Sequence, residues 1–340
     1  MGYVITYAET ADDQAKRLVD AACSGAQLTA EQLVALLEII EGTPAAEYAC
    51  ARADELSRAA CKGRGFIHAQ IGLDRLPCLE NCRFCLFAAC NQQVEGREQR
   101  PEDAESFLVD LDDVVHAAEI FAAGGTHLIS LMATASYPFA QLEKAVRLVH
   151  GAAPDVAVMV NCADMDIEQA KRLREAGASV AYHALRLREG EITDIQPAAR
   201  KATMCAIREA GLQLMTGVEP LFAEATNSEI AQVMCQIRAF SPYCTGVCKL
   251  TKSERADCTL TPASLERVRY VACVLRLAVG LSVPVGCAGA AVWVDAGCDP
   301  RGRGYAASDE ALRQKLAQAR QNLEHAGWIV PDKMPDDVWV

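Results

Sequence analysis

Three cysteines fall within eight residues, in the run Cys78-Leu-Glu-Asn-Cys82-Arg-Phe-Cys85. A short loop with thiolates at this C-x3-C-x2-C spacing can wrap one metal centre. Three protein ligands on a cubane [4Fe-4S] cluster leave one iron without a side chain, and that iron can take a small molecule. Structural zinc sites and ferredoxin clusters use four protein ligands and leave no such position. The spacing therefore points to reactive iron chemistry. The competing readings are a zinc loop completed by Cys61 or Cys90, and a set of buried thiols.

Such a loop needs a frame. Residues 66–71 read as a strand that ends at the cysteines. Helix–strand pairs follow at 111–123 and 126–131, 137–150 and 156–160, 166–176 and 179–185, 198–210 and 213–218, 227–240 and 245–250, and 262–279 and 282–285. An eighth strand is expected at 290–294. Gly124, Gly177, Gly211 and Gly280 close helices, as left-handed caps do before a following strand. Strand–helix alternation implies a parallel sheet. Six units make an open partial barrel; eight close as a (βα)8 TIM-type barrel, which is the α/β fold class expected here. Active residues of such barrels gather at the C-terminal ends of the strands, where the cysteine loop sits. Ahead of the barrel, residues 10–60 read as helices, with Thr29 and Gln32 forming a capping box before Leu33, Leu36, Leu37 and Ile40. The expected division is an N-terminal helical extension over 1–62, a barrel over 63–304, and a C-terminal helix and tail over 305–340.

The 340 residues are 51% hydrophobic, enough for one large barrel. A net charge of −12 argues against nucleic acid or an anionic membrane as partner, because both require clustered Lys and Arg. No apolar run approaches a membrane span, and the N-terminus lacks a secretory pattern, so a cytoplasmic protein is expected. Sixteen cysteines in such a chain indicate reduced thiols or metal chemistry in a reducing, anaerobic setting.

The cysteine triplet resembles the cluster loop of the radical S-adenosylmethionine (SAM) enzymes. Stretches from Gly63 to Gly304 resemble one branch of them. That branch holds biotin synthase, an [FeFe]-hydrogenase maturase, methylornithine synthase and the biotin-synthase-like protein of iron-guanylylpyridinol cofactor synthesis. The resemblance implies that Cys78, Cys82 and Cys85 hold a [4Fe-4S] cluster whose open iron binds SAM. Reductive cleavage of SAM then gives a 5′-deoxyadenosyl radical that abstracts hydrogen from a small metabolite or cofactor precursor. Phe84 fits the aromatic found before the last cysteine. The run Ala123-Gly124-Gly125-Thr126 resembles the glycine motif at the SAM amino group, although relatives carry an acid in place of Thr126; a helix cap alone is the alternative. Arg200 matches an arginine that pairs with the SAM carboxylate, a bidentate, charge-assisted task. Asn161, Asp164, His183 and Arg186 fall where relatives contact SAM or substrate, and Glu219 at a strand end suits an amine or the SAM ribose. Helix capping for Asp164 and a hydrogen-bonded core position for His183 are the alternatives.

The chain departs from biotin synthase, whose second cluster uses inner-strand cysteines. Ile129, Met159 and Met215 stand at those positions, so sulfur insertion is not expected. Cys244, Cys248, Cys258, Cys287 and Cys298 leave room for an auxiliary iron–sulfur cluster or for plain buried thiols. The runs Gly289–Trp293 and Asp299-Pro300-Arg301 lean towards the iron-guanylylpyridinol relatives. The resemblance also implies a flavodoxin or ferredoxin electron donor. The alternatives are a radical SAM methyltransferase or mutase, and a non-catalytic iron–sulfur or zinc carrier.

Overall fold

The computed structural model describes residues 11–92, 107–252, 256, 258–283, 285–286, 290–296 and 308–338. Helices α1 (Ala11–Cys23), α2 (Ala30–Leu37) and α3 (Pro44–Ala60) come first. The Thr29–Gln32 capping box starts α2 as its sequence dictates. Thr43 caps α3, with Pro44 in its first turn.

The strand–helix series follows: β1 (Phe66–Gly72), α4 (Ala89–Gln92), α5 (Leu111–Ala123), β2 (Leu128–Met132), α6 (Phe139–Ala152), β3 (Ala157–Asn161), α7 (Ile167–Glu175), β4 (Val180–Tyr182), α8 (Pro197–Glu209), β5 (Gln213–Leu221), α9 (Asn227–Phe240), β6 (Cys244–Lys249), α10 (Leu265–Val279), β7 (Val285–Gly286), β8 (Ala291–Asp295) and α11 (Asp309–His325). All neighbouring strands pair in parallel, in the order β7-β6-β5-β4-β3-β2-β1-β8. Each crossover is a helix, as parallel pairing requires. Ring closure would need β7 to pair with β8, and no such pairing occurs among the described residues. The sheet is nonetheless curled, since residues from β1 to β6 and from β8 line one common cavity.

Two apolar clusters hold the frame. One joins Phe66, Ile71, Phe121, Leu128, Val146 and Val158 to Leu312, Leu316 and Trp328 at the C-terminal end of the chain. The other joins Leu33, Leu36 and Leu37 of α2 to Ile230 and Met234 of α9 and Tyr270 and Val274 of α10. The N-terminal helices thus share a core with two barrel helices. Fully burying a side chain of this size stabilises by about 1.5–3 kcal/mol. Fully buried Arg276 ties the end of α10 to α3: its Nε donates to Ser57 Oγ at 3.0 Å and its Nη1 to the Gly280 carbonyl at 2.9 Å. Among the described residues no helix is long and apolar enough to cross a membrane.

Candidate active site

β1 delivers the chain to the cysteine loop. Asp74 lies just past β1; it is buried and accepts from the Thr134 amide at 2.9 Å and from the Leu76 amide at 3.2 Å. Burial pushes its carboxyl pKa up, against those hydrogen bonds. Ser136 Oγ donates to the Pro77 carbonyl at 2.6 Å, so the ends of β1 and β2 are laced together. Asn81, at φ +46°, turns the loop; its Nδ2 donates to Asp194 at 2.8 Å and its Oδ1 accepts from the Cys90 amide at 3.0 Å. Asn91 Nδ2 donates to the carbonyls of Arg83 and Cys85 at 2.9 and 2.8 Å. Two backbone bonds, Arg83 N to Ile192 O and Asp194 N to Glu80 O, moor the loop to the segment after β4.

Cys78, Cys82 and Cys85 line one cavity of about 230 Å³ at the C-terminal ends of β1 to β4. Backbone amides of Glu80 and Ala135 are directed at the Cys78 sulfur, and those of Phe87 and Ala88 at Cys85. Amides aimed at sulfur stabilise thiolates and tune the potential of a bound cluster. Burial works the other way and pushes the Cys82 thiol up to about 12. Metal binding must therefore displace protons. Among the described residues no three His, Cys, Asp or Glu side chains converge on a single-ion position. Thiols that hold a cubane occupy separate corners, so they stand wider apart than the ligands of one ion. The triplet, its amide donors and the cavity between them fit such a cluster. Cys61 is buried in the first core and Cys90 is exposed; neither lines this cavity.

The far wall is charged. Arg200 on α8 is buried and within 3.3 Å of Glu80, 3.4 Å of Asp164 and 3.8 Å of Glu189. His183 Nε2 lies 2.6 Å from both Asp164 Oδ1 and Arg200 Nη1. One nitrogen donates to the carboxylate or accepts from the guanidinium, so the tautomer selects the bond. Burial, outweighing the Asp164 hydrogen bond, lowers the His183 pKa to about 4 and keeps the ring neutral. β4 ends at Tyr182, so His183 is not an internal strand residue; it sits just past the strand, facing this cavity. Arg186 Nε is 3.4 Å from Glu219. Its Nη1 is buried without a hydrogen-bond partner, 3.8 Å from Glu189. Arg200 Nε is likewise buried without a hydrogen-bond partner, so each arginine keeps a spare donor, that of Arg186 in the neighbourhood of Cys82.

A second cavity of about 400 Å³ lies inside the curl, and the two share Met132, Asn161 and Tyr182 as a wall. On β2, β3 and β8 its lining follows the two-residue period of strands, with Ser130 and Met132, Met159 and Asn161, and Ala291 and Trp293, while β5 and β6 add consecutive residues around Met215–Gly217 and Cys244–Cys248. Gly217 faces Gly246 in register, and a Cβ on Gly217 would come within 2.8 Å of the Gly246 carbonyl. Glu219 accepts from the Tyr182 hydroxyl and from the Cys248 thiol. Burial and that carboxylate push Cys248 up to about 12, so it remains a thiol.

The sequence-derived residues do not all meet here. Cys78, Cys82, Cys85, Asn161, His183, Arg186 and Arg200 line the outer cavity, and Asn161 and Glu219 the inner one. Gly124, Gly125 and Thr126 lie before β2, at the opposite end of the strands, and line neither cavity. Gly125, not Gly124, takes the left-handed conformation, at φ +76°. Any Cβ on Gly124 would strike Leu316, and one on Gly125 would come within 2.8 Å of Arg320. These glycines admit α11. The β2 segment at the cavity is instead Met132-Ala133-Thr134-Ala135. Phe84 packs against the second core, and Phe87 lines the cavity in its place. Of the three positions compared with biotin synthase, Met159 and Met215 point inward, while Ile129 is in the core and its neighbour Ser130 faces the cavity. Cys244 and Cys248 share the inward face of β6; Gly289, Cys287, Cys298 and residues 299–301 lie outside the described residues.

The sequence matches no protein-family model. No curated protein matches it either. Solved structures do match. HydG, a maturase of the [FeFe]-hydrogenase, superposes with a TM-score of 0.74 at 13% identity, over 96% of this chain and 78% of that one. Methylornithine synthase (PylB) gives 0.70 at 17% identity, over 92% and 97%. HydG from Carboxydothermus hydrogenoformans gives 0.64 at 14% identity, over 90% and 69%. At this identity the likeness is one of fold, and the chain has the α/β fold of HydG and methylornithine synthase.

Proposed function

We propose that this chain is a radical SAM enzyme of the biotin-synthase-like branch, acting on a small metabolite or cofactor precursor held in the inner cavity. The observation that carries the proposal is the adjacency of the two cavities: the three-cysteine loop edges the outer one, and Met132, Asn161 and Tyr182 separate it from the inner one. Cys78, Cys82 and Cys85 would hold the [4Fe-4S] cluster, and SAM would lie between them and the wall of His183, Arg186 and Arg200. Bound there, cluster and SAM supply reductive cleavage to a 5′-deoxyadenosyl radical, which removes hydrogen from the substrate.

The protein contributes placement and shelter. The spare Nη1 donor of Arg186 suits a carboxylate or the anionic cluster. Arg200 holds Glu80, and with it the cysteine loop, against α8. Met132, Met159, Met215 and Trp293 give the inner cavity an apolar lining that excludes water from a reactive carbon radical. Asn161, Tyr182 and Glu219 supply the polar contacts that orient a substrate. The cysteine loop exposes Leu79, Arg83 and Leu86 to solvent, a face suited to an acidic electron donor such as flavodoxin or ferredoxin.

The test is anaerobic reconstitution with iron and sulfide, then electron paramagnetic resonance (EPR) of the dithionite-reduced protein with and without SAM. A [4Fe-4S] signal that changes shape on adding SAM, with 5′-deoxyadenosine released on turnover, supports the proposal. A signal indifferent to SAM, or stoichiometric zinc in place of iron, leaves a metal carrier instead.

A further inference from the structure

The outer cavity is lined by four cysteines, not three. The fourth is Cys162, the first residue after β3. It is half-buried, with one side packed on the first core. A cysteine that serves only as a small hydrophobe has apolar neighbours. Cys162 instead shares its cavity with Glu80 and Arg200, and feels the charges of both and of Asp164. Its thiol has no hydrogen-bond partner among the described residues. Ala133 and Ala135, with small side chains, line the same cavity.

We propose that Cys162 is a fourth, exchangeable thiol ligand, which closes the open iron of the cluster when SAM is absent and yields when SAM binds. The inference rests on the cluster reading above. The exchange involves no electron transfer. The Cys162 S–H loses its proton to water and the sulfur forms an iron–sulfur bond. On SAM binding that bond breaks, the amino and carboxylate groups of SAM take its place, and the thiolate recovers a proton from water. Burial and the charge of Glu80 push the free Cys162 thiol up to about 12 against the pull of Arg200, so its proton leaves only as the iron–sulfur bond forms.

A cubane with an unprotected fourth iron loses that iron on oxidation and becomes [3Fe-4S]. A closing thiol slows this loss. It also competes with SAM and lowers its apparent affinity by the fraction of protein held closed. The test uses the reconstituted full-length chain as wild type, Cys162→Ala and Cys162→Ser; the serine variant keeps the side-chain volume and controls for a packing defect. Each protein is oxidised with ferricyanide with and without saturating SAM, and the [3Fe-4S] EPR signal is followed. SAM is also titrated against the line shape of the reduced cluster. Without SAM, both variants should reach [3Fe-4S] several-fold faster than wild type; with SAM, the three rates should agree. Apparent SAM affinity should rise about tenfold in the variants. Equal oxidation rates and equal SAM affinities across the three proteins would overturn the inference and leave Cys162 a wall residue. Failure of the underlying reading looks different: the wild type itself would show no [4Fe-4S] signal, or one that SAM does not alter.

Discussion

The two ends of the strands are built to opposite rules. At the C-terminal end, the segments after β1 to β4 carry thiols, carboxylates and guanidinium groups turned into a cavity. Buried charge is kept there although ion pairs in such places rarely repay their desolvation. At the N-terminal end, the loop before β2 carries two glycines pressed against α11, with His127 Nε2 donating to the Pro331 carbonyl 2.9 Å away. One end holds groups poised for a ligand; the other is packed for stability, as parallel barrels in general divide the work.

The comparison is broken most directly at Cys82. Cys82→Ala should abolish the [4Fe-4S] signal and 5′-deoxyadenosine release, while the apo protein loses under about 1 kcal/mol. A variant that fails to fold would move Cys82 into the structural class. Glu219→Gln comes next. It weakens the acceptor shared by Tyr182, Cys248 and Arg186, interactions of about 1.5–3 kcal/mol to a charged group. Substrate-dependent 5′-deoxyadenosine release should fall about tenfold or more, with cluster spectra unchanged. Loss of the cluster signal would show that the two cavities are not separable.

At the other end, Gly124→Ala forces a methyl group onto Leu316 and should cost about 1–3 kcal/mol in urea unfolding, with the SAM response of the cluster intact. A selective loss of SAM affinity in that variant would restore the glycines to the binding site. The smallest effect is expected at His68, buried on β1 edge-to-face with Trp293 at 4.9 Å, both ring nitrogens lacking hydrogen bonds. Burial lowers its pKa to about 3 from 6.5. The unfolded chain therefore takes up the proton first, and stability, full above pH 6.5, is lost as pH falls from there towards 3. His68→Phe should raise neutral-pH stability by about 1 kcal/mol and flatten the melting profile between pH 6.5 and 5. An unchanged acid profile would place the acid-labile groups elsewhere.

Much of this was legible in the chain. The helix at 111–123 and that at 227–240 were bounded correctly, because Asp110 and Thr226 cap them locally. The triplet stands out in the chain because its three cysteines lie on one short loop. Asn161 and Arg186 reach the cavities because they end a strand or follow one, and Glu219 because it lies near the C-terminal end of β5, a rule of chain position. What failed depended on long-range packing. A glycine pair reads alike whether it cradles a ligand or admits a helix, and only the arrival of α11, nearly two hundred residues on, distinguishes the two. Phe84 and Phe87 differ only in which way a turn points them. Asp74 and Glu80 carried no spacing signal because their partners come from the segment after β2 and from α8.

The wall of Met132, Asn161 and Tyr182 has a further consequence. On the proposed function it divides the protein into a reagent chamber and a reaction chamber that meet through three side chains. Inheritance can act on them separately. Exchanging Met159, Met215 or Trp293 resizes the reaction chamber without touching a thiol or an arginine of the other. Under that proposal, a chain organised in this way can change its substrate while its means of making radicals stays fixed.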